Sequence, residues 1–310
     1  MRPIRVLGKL AQAAPPQSGS GLRLAIFQGE NPVGSPQAVV DNLARMEEAV
    51  ALAASYRSHL CAFPECYNTG YSLGPDECAE LAEPSDGLSV RAAVKLSQQH
   101  DIGIVLPYVE RAENGALHDS VAVVGDGRLI ANYRKTHLYG AAERANFTPG
   151  DELPPVVDIN GFRVGILNCY ECEFPPLYQY LARRGAGLIV GPTAADRHFV
   201  LHDGSPTQVP YPDATEHIIP AMAAVWRVFV AYANRRGWEV SDRGQWEYRG
   251  NSGIWGPDGQ PVVCAGPSEQ TADSLLVADC APSTIPPFSP EGDHLSNSRL
   301  NVGDRLQPAG

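Results

Sequence analysis

At 310 residues, 44% of them hydrophobic and 19% charged, the chain can bury a substantial core as one large domain or two, which excludes a disordered protein. A formal net charge of −11 argues against a nucleic-acid groove or an anionic membrane surface as partner. No apolar run approaches the roughly 18 residues of a spanning helix, so a soluble protein is expected.

In chain order, residues 1–21 end in a run of proline, serine and glycine. The apolar segment before them is broken by Gly8 and Lys9, so they read as a flexible tail in preference to a secretory leader. Leu22 to Gln28 is a first strand and Gln37 to Arg57 a helix, with Val40, Leu43, Met46, Val50 and Ala54 on one face. Leu60 to Phe63 is a second buried strand, ended by Pro64, so Glu65 opens a loop running to Gly74. Ser89 to His100 is a helix, and Ile102 to Leu106 and Ser120 to Val124 are strands. Asp126-Gly127 turns the chain back into Leu129 to Tyr133, which delivers Lys135. A loop from Gly140 to Asp151 follows. Phe162 to Leu167 is then a short buried strand that stops at Cys169, with helical spacing resuming at Pro175. Leu177 to Arg184 is a helix and Gly187 to Val190 a strand. Residues 193–212 form a polar loop with His198, His202 and Asp203 that reads as a rim over a pocket. A helix from Ala214 to Val225, a strand from Val228 to Ala233 and three closing strands between Ser252 and Ala278 complete the domain. The proline-rich segment 281–310 reads as an extension packing on the surface or against a second subunit. Mixed crossovers and hairpins give an α/β class with a mixed sheet or two sheets.

Three of these strands end on an ionisable residue: Glu65, Lys135 and Cys169. A thiol at neutral pH is mostly protonated, and the thiolate is the nucleophile. A carboxylate in reach can take that proton, and an ammonium can hold the negative charge that develops on an attacked carbonyl. Taken singly, each has a plainer reading: a solvated glutamate, a surface lysine, a packed cysteine. Seven cysteines, at positions 61, 66, 78, 169, 172, 264 and 280, are too scattered for a disulfide framework, and their odd number leaves a thiol free. A reducing compartment, the cytoplasm, is the expectation.

The wording around the three residues carries more. Phe63-Pro64-Glu65 with Thr69-Gly70-Tyr71, Tyr133-Arg134-Lys135-Thr136-His137-Leu138 with Glu143 and Phe147-Thr148-Pro149-Gly150, and Cys169-Tyr170-Glu171 with Glu173-Phe174-Pro175 together resemble the nitrilase superfamily of carbon–nitrogen hydrolases. The resemblance spans residues 22–280. It implies a four-layer α-β-β-α sandwich, pairing as a homodimer or higher homo-oligomer that buries the helix over residues 174–185. It implies Glu65 as general base, Cys169 as the nucleophile that forms a thioester, and Lys135 with the Tyr170 backbone N–H as oxyanion holder. Glu143 is implied beside the lysine as a substrate-positioning residue, and neither metal nor cofactor is required. Tyr67, Tyr71, Tyr139, Thr193 and Ala194 are the expected pocket lining.

Tyr170-Glu171 after the nucleophile is similar to the amidase branches, where nitrile hydrolases have Trp and then Glu. Cys172 and Glu173 stand where carbamoyl hydrolases carry arginines, so a neutral or amine-bearing primary amide is the expected substrate, with a nitrile or an N-carbamoyl compound as the alternatives. Asn168, Pro176, Gln179, Met222, Val225 and Trp226 depart from the family pattern. The rival from another class is a C-x-x-C dithiol redox protein built on Cys169 and Cys172. It leaves Glu65 and Lys135 unexplained, and no second cysteine or histidine pair completes a zinc site. A binding protein of the same fold without catalysis is opposed by the intact triad.

Overall fold

Every residue of the strand Leu22–Gln28 is buried, yet its side chains serve two different cores. Leu24 and Ile26 join Val164, Ile166, Leu188 and Val190, whereas Ala25 and Phe27 join Met46, Ala49 and Val50. Alternate side chains of a strand point to opposite faces, so a sheet covered on both sides reads as an unbroken apolar run. The computed structural model, which describes residues 3–201, 206–207, 213–241, 244–267, 272–284 and 293–297, shows what the two faces meet. A seven-stranded sheet runs in the order Arg5–Lys9, Ser274–Cys280, Leu22–Gln28, Leu60–Ala62, Gly103–Arg111, Leu117–Gly125, Arg128–Arg134. A six-stranded sheet runs Pro261–Cys264, Gly253–Trp255, Phe229–Ala233, Leu188–Pro192, Phe162–Ile166, Val156–Ile159. The first cluster lies between the two sheets. Helices Pro36–Ser55 and Leu88–His100 close the outer face of the first sheet, and Pro175–Arg183 and Ala214–Trp226 that of the second. This is the four-layer α-β-β-α sandwich that the resemblance implied.

Each large sheet contains three mutually parallel strands, Leu22–Gln28 with Leu60–Ala62 and Gly103–Arg111, and Phe162–Ile166 with Leu188–Pro192 and Phe229–Ala233. Parallel strands finish at one end of a sheet, and the loops leaving those ends carry the groups that chemistry needs. The two ends meet: the Glu65 backbone N–H donates to the Thr193 carbonyl across the sandwich, at 3.3 Å.

Several elements differ from the sequence reading. Arg5–Lys9, expected within a flexible tail, is a strand paired in parallel with Ser274–Cys280. Its anchor is Arg23, which is 1% exposed, pairs with Asp279 at 2.7 Å and also donates to the carbonyls of Gln12, Ala13 and Ala14. Helix Gly140–Asn146 occupies a stretch read as a loop, and helix Pro75–Leu81 follows the loop that ends at Gly74, where no element was expected. Part of the 193–212 loop is a strand, Asp196–Leu201. It belongs to a four-stranded sheet with Pro206–Thr207 and the hairpin Arg236–Ser241 and Gly244–Arg249. That hairpin escapes a polarity reading because its alternation is inverted: Trp238 and Val240 are exposed while Glu239 is 3% exposed, paired with Arg235 at 2.7 Å. His202 and Asp203 lie outside the described residues, as do the side chain of His198 and most of 281–310. Within that extension the short helix His294–Asn297 places Leu295 against the core cluster beneath the second sheet.

Candidate active site

Glu65 follows the strand Leu60–Ala62 directly and is held by its backbone. Arg235 donates from Nε to the Glu65 carbonyl and from Nη2 to that of Cys66, where the chain turns through a positive φ of 45°. Lys135 follows the strand Arg128–Arg134 and donates its backbone N–H to the Asp119 carbonyl. The two side chains meet in the interior, Lys135 Nζ lying 2.6 Å from Glu65 Oε1, both with no exposed side-chain surface. Glu143, in the first turn of the helix Gly140–Asn146, approaches the same ammonium at 2.8 Å. Its carboxylate is further fixed by the Tyr71 hydroxyl at 2.6 Å and the Tyr139 backbone N–H at 2.6 Å.

A fourth member was not foreseen. Asp119, 1% exposed, places Oδ2 3.4 Å from Lys135 Nζ. Its Oδ1 accepts from Asn168 Nδ2 at 2.9 Å and faces the Cys66 thiol at 3.6 Å. One oxygen each of Glu65, Asp119 and Glu143 lie within 4.8 Å of one another, which among the described residues is the one acidic grouping tight enough to ligate a cation. Lys135 already supplies the positive charge there. The available signal was position: Asp119 precedes the apolar run Ser120 to Val124, as Glu65 follows one.

Cys169 stands where the strand Phe162–Ile166 gives way to a 3₁₀ turn, Cys169–Glu173. Its φ is 51°, the sparsely populated left-handed region in which side chains on sharp strand-to-helix turns are presented. Burial, and next the Glu65 charge, push the thiol well above its usual range. Lys135 and the Ala194 backbone N–H act the other way, favouring the thiolate. Glu65 is also pushed well up, first by burial and then by its neighbouring carboxylates, against the pull of Lys135. Lys135 stays cationic: burial disfavours its charge, but Glu143 and Glu65 overcome that and raise it further. A thiol, a proton acceptor of raised basicity and a fixed ammonium thus interact electrostatically with one another.

Glu171 locks the Cys169 turn to the lysine segment. One oxygen accepts from the Tyr133 hydroxyl and from the Thr136 backbone and side chain, and the other from the Asn168 backbone N–H at 3.0 Å. These donors stitch residues 133–136 to residue 168, so Lys135 and Cys169 cannot drift apart independently.

Of the expected pocket residues, Tyr139 is 36% exposed and packs edge-on against Tyr170 at 5.2 Å, and Tyr170 does the same against Phe174 at 4.9 Å. Ala194 meets Cys169 through its backbone, and Thr193 is buried, donating to the Tyr232 hydroxyl at 3.1 Å. Tyr71 closes the Glu143 side. Tyr67 is not lining: it is fully buried between Phe63 at 4.6 Å and Phe27 at 6.0 Å, because its side chain points into the layer under helix Pro36–Ser55. Asp196, two residues beyond Ala194, stands opposite Tyr248 in the small sheet, so the two side chains share its inner face. Burial first, and then the neighbouring Asp196, Cys169 and Glu173, raise the Tyr139 hydroxyl, so two carboxylates stand within electrostatic reach of it.

The sequence profile of the carbon–nitrogen hydrolase family matches residues 23–288. The chain belongs to that family. Among its relatives, a Pseudomonas protegens protein described as a hydrolase in the pqqF 5′ region is 33% identical over 249 residues, 80% of each chain. An (R)-stereoselective amidase of a Pseudomonas species is 36% identical over 149 residues, 48% of this chain and 53% of that one. The amidase from Nesterenkonia sp. AN1, solved in complex with acrylamide, superposes with a TM-score of 0.76 at 26% identity, over 94% of this chain and 99% of that one. The same amidase has been solved with the acetamide moiety of fluoroacetamide added covalently at its active-site cysteine. This carbon–nitrogen hydrolase is accordingly an amide-hydrolysing, thiol-dependent enzyme. Cys172, the second member of C-x-x-C, is 1% exposed and packs beneath the second sheet with Tyr178, and no cysteine is disulfide-bonded. The dithiol redox reading therefore lacks an accessible partner thiol.

Proposed function

We propose that this enzyme hydrolyses a linear primary amide to a carboxylic acid and ammonia through a thioester on Cys169. Glu65 takes the thiol proton as sulfur attacks the carbonyl carbon, and Lys135 with the Tyr170 backbone N–H holds the resulting oxyanion. Glu65 returns the proton to the departing nitrogen, then activates water against the thioester. Glu143, bound to Lys135 and oriented by Tyr71, sets the ammonium and one wall of the substrate site. The observation that carries this reading is the buried Lys135 ammonium, 2.6 Å from Glu65 and 2.8 Å from Glu143, beside a cysteine held at positive φ.

The acyl group is a neutral or amine-bearing one. Tyr139, Tyr170 and Phe174 offer an apolar, aromatic approach, and Asp196 with Glu173 makes the mouth negative, which disfavours an acidic substrate and favours an ammonium. We assign residues 22–280, together with the strand Arg5–Lys9 paired to them, to one catalytic domain and the enzyme to a cytoplasmic homo-oligomer. Seven unpaired cysteines suit a reducing compartment, and no described helix is long and apolar enough to cross a membrane.

A panel of neutral, cationic and acidic primary amides, run beside the matching nitriles and N-carbamoyl amino acids with ammonia release as the readout, tests the assignment. Amide turnover that is lost in Cys169→Ala and kept in Cys172→Ala supports it. Turnover of nitriles alone, or a requirement for both thiols, overturns it. Light scattering of the purified protein decides whether it is an oligomer or a monomer.

A further inference from the structure

The active site holds more carboxylate than its positive charge accounts for. Glu65, Asp119 and Glu143 surround one ammonium, and all are between 0 and 2% exposed. Their oxygens are unequally served. Both Glu143 oxygens have donors, from Lys135, Tyr71 and the Tyr139 backbone. Glu65 Oε1 has Lys135, and Asp119 Oδ1 has Asn168 and the Cys66 thiol. Glu65 Oε2 and Asp119 Oδ2, by contrast, are buried acceptors without a hydrogen-bond partner, Asp119 Oδ2 having only the longer ion pair to Lys135 Nζ at 3.4 Å. One oxygen of each carboxylate lies within 4.8 Å of one of the other's, and the Asp119 charge helps to raise Glu65. Two facing acceptors are both satisfied by a single proton, and a buried acceptor left without one is costly.

We propose that Asp119 is a positioning residue whose Oδ2 accepts from Glu65 Oε2 once Glu65 has taken the proton of Cys169. The Cys169 S–H bond breaks, an O–H bond forms on Glu65, and that O–H points at Asp119 Oδ2. The proton leaves later to the departing nitrogen, and Asp119 gains and loses nothing. The Asp119 charge raises the proton affinity of the glutamate, and a base of higher proton affinity shifts the shared equilibrium toward thiolate. Asn168, placed where an apolar residue would otherwise end the strand, anchors the other oxygen of Asp119. The groups that face Asp119 and titrate or carry charge are Glu65 and Cys66 on the loop after Leu60–Ala62, Lys135 after Arg128–Arg134, and Glu143 on its helix. Cys169 in turn interacts with Glu65, and Arg235 with Cys66.

The inference rests on Cys169 and Glu65 acting as proposed, so its test includes a readout that needs no substrate. In Asp119→Asn the rate of Cys169 alkylation by iodoacetamide, followed by mass spectrometry across pH, is expected to fall about tenfold or more near neutrality. The midpoint of its acid limb moves down by about one pH unit, since the removed charge no longer raises Glu65. In amide hydrolysis the same variant loses kcat with little change in KM. Asn168→Leu keeps Asp119 but removes its anchor, and shifts the acid limb in the same direction by less; it carries the test if Asp119→Asn folds poorly. An acid limb that stays in place in both variants overturns the inference even if amides are turned over. A moved limb in an enzyme that hydrolyses no amide upholds it and removes the proposed reaction instead.

Discussion

Glu65 and Glu171 are both fully buried and both stand near Cys169, yet their environments push them in opposite directions. Burial raises each. At Glu171 the hydrogen bonds of the His137, Tyr133 and Thr136 region outweigh it and bring the carboxyl below its usual range. At Glu65 one oxygen has Lys135 and the other faces a second carboxylate, and the carboxyl ends well above that range. Neutral donors make a permanent anion that ties segments together, whereas like charges make a site that exchanges a proton. On the proposed mechanism, one region holds the geometry and the other performs the chemistry.

The sharpest way to break that division is at the reacting atoms. Cys169→Ala is expected to abolish amide turnover, a loss of about 10⁴-fold or more, while the thermal midpoint shifts little, as stopped ammonia assays and calorimetry would show. Lys135→Met removes the oxyanion partner and is expected to cost about 10²–10³-fold in kcat. It also leaves three buried carboxylates without their cation, so proton uptake on folding rises, measurable by titration calorimetry in buffers of different ionisation enthalpy.

Glu171→Gln probes the other region. It weakens the charge-assisted bonds to Tyr133 and Thr136 and is expected to destabilise the fold by about 1–3 kcal/mol at neutral pH. The sign with pH follows from the direction of its shift. A carboxyl held lower in the folded state contributes fully above its unfolded value of about 4.3 and loses that contribution as pH falls through the folded value. The stability gap between wild type and Glu171→Gln in urea melts should therefore close toward acid, and a gap that widened there would contradict the assignment.

The smallest effect is expected at the mouth. Asp196→Asn should raise KM for an amine-bearing amide by about fivefold and leave a neutral amide of the same size unchanged, more clearly at low salt. Equal effects on both would remove Asp196 from substrate recognition.

Some of this was legible from residue order alone. Glu65, Lys135 and Cys169 end apolar runs, a strand end is where an α/β sheet exposes groups, and the Glu143 segment carries its own recognisable wording. The two-sheet sandwich is written in runs such as Leu22–Gln28, apolar on both faces because both are covered. What required the folded chain was long-range pairing. Arg5–Lys9 is a strand because Ser274–Cys280 lies beside it and Arg23 meets Asp279 across 256 positions. Tyr67 became core and Tyr139 pocket, though both flank motifs, because the direction of a side chain depends on which layer its loop abuts. Asp119 and Asn168 look unremarkable in isolation and acquire meaning at 2.9 Å. Local patterns of polarity determine which segments are strands and where reactive groups stand along them. Which buried charges share a proton is decided by contacts between segments distant in the chain, since electrostatic coupling depends on separation in space and not in sequence.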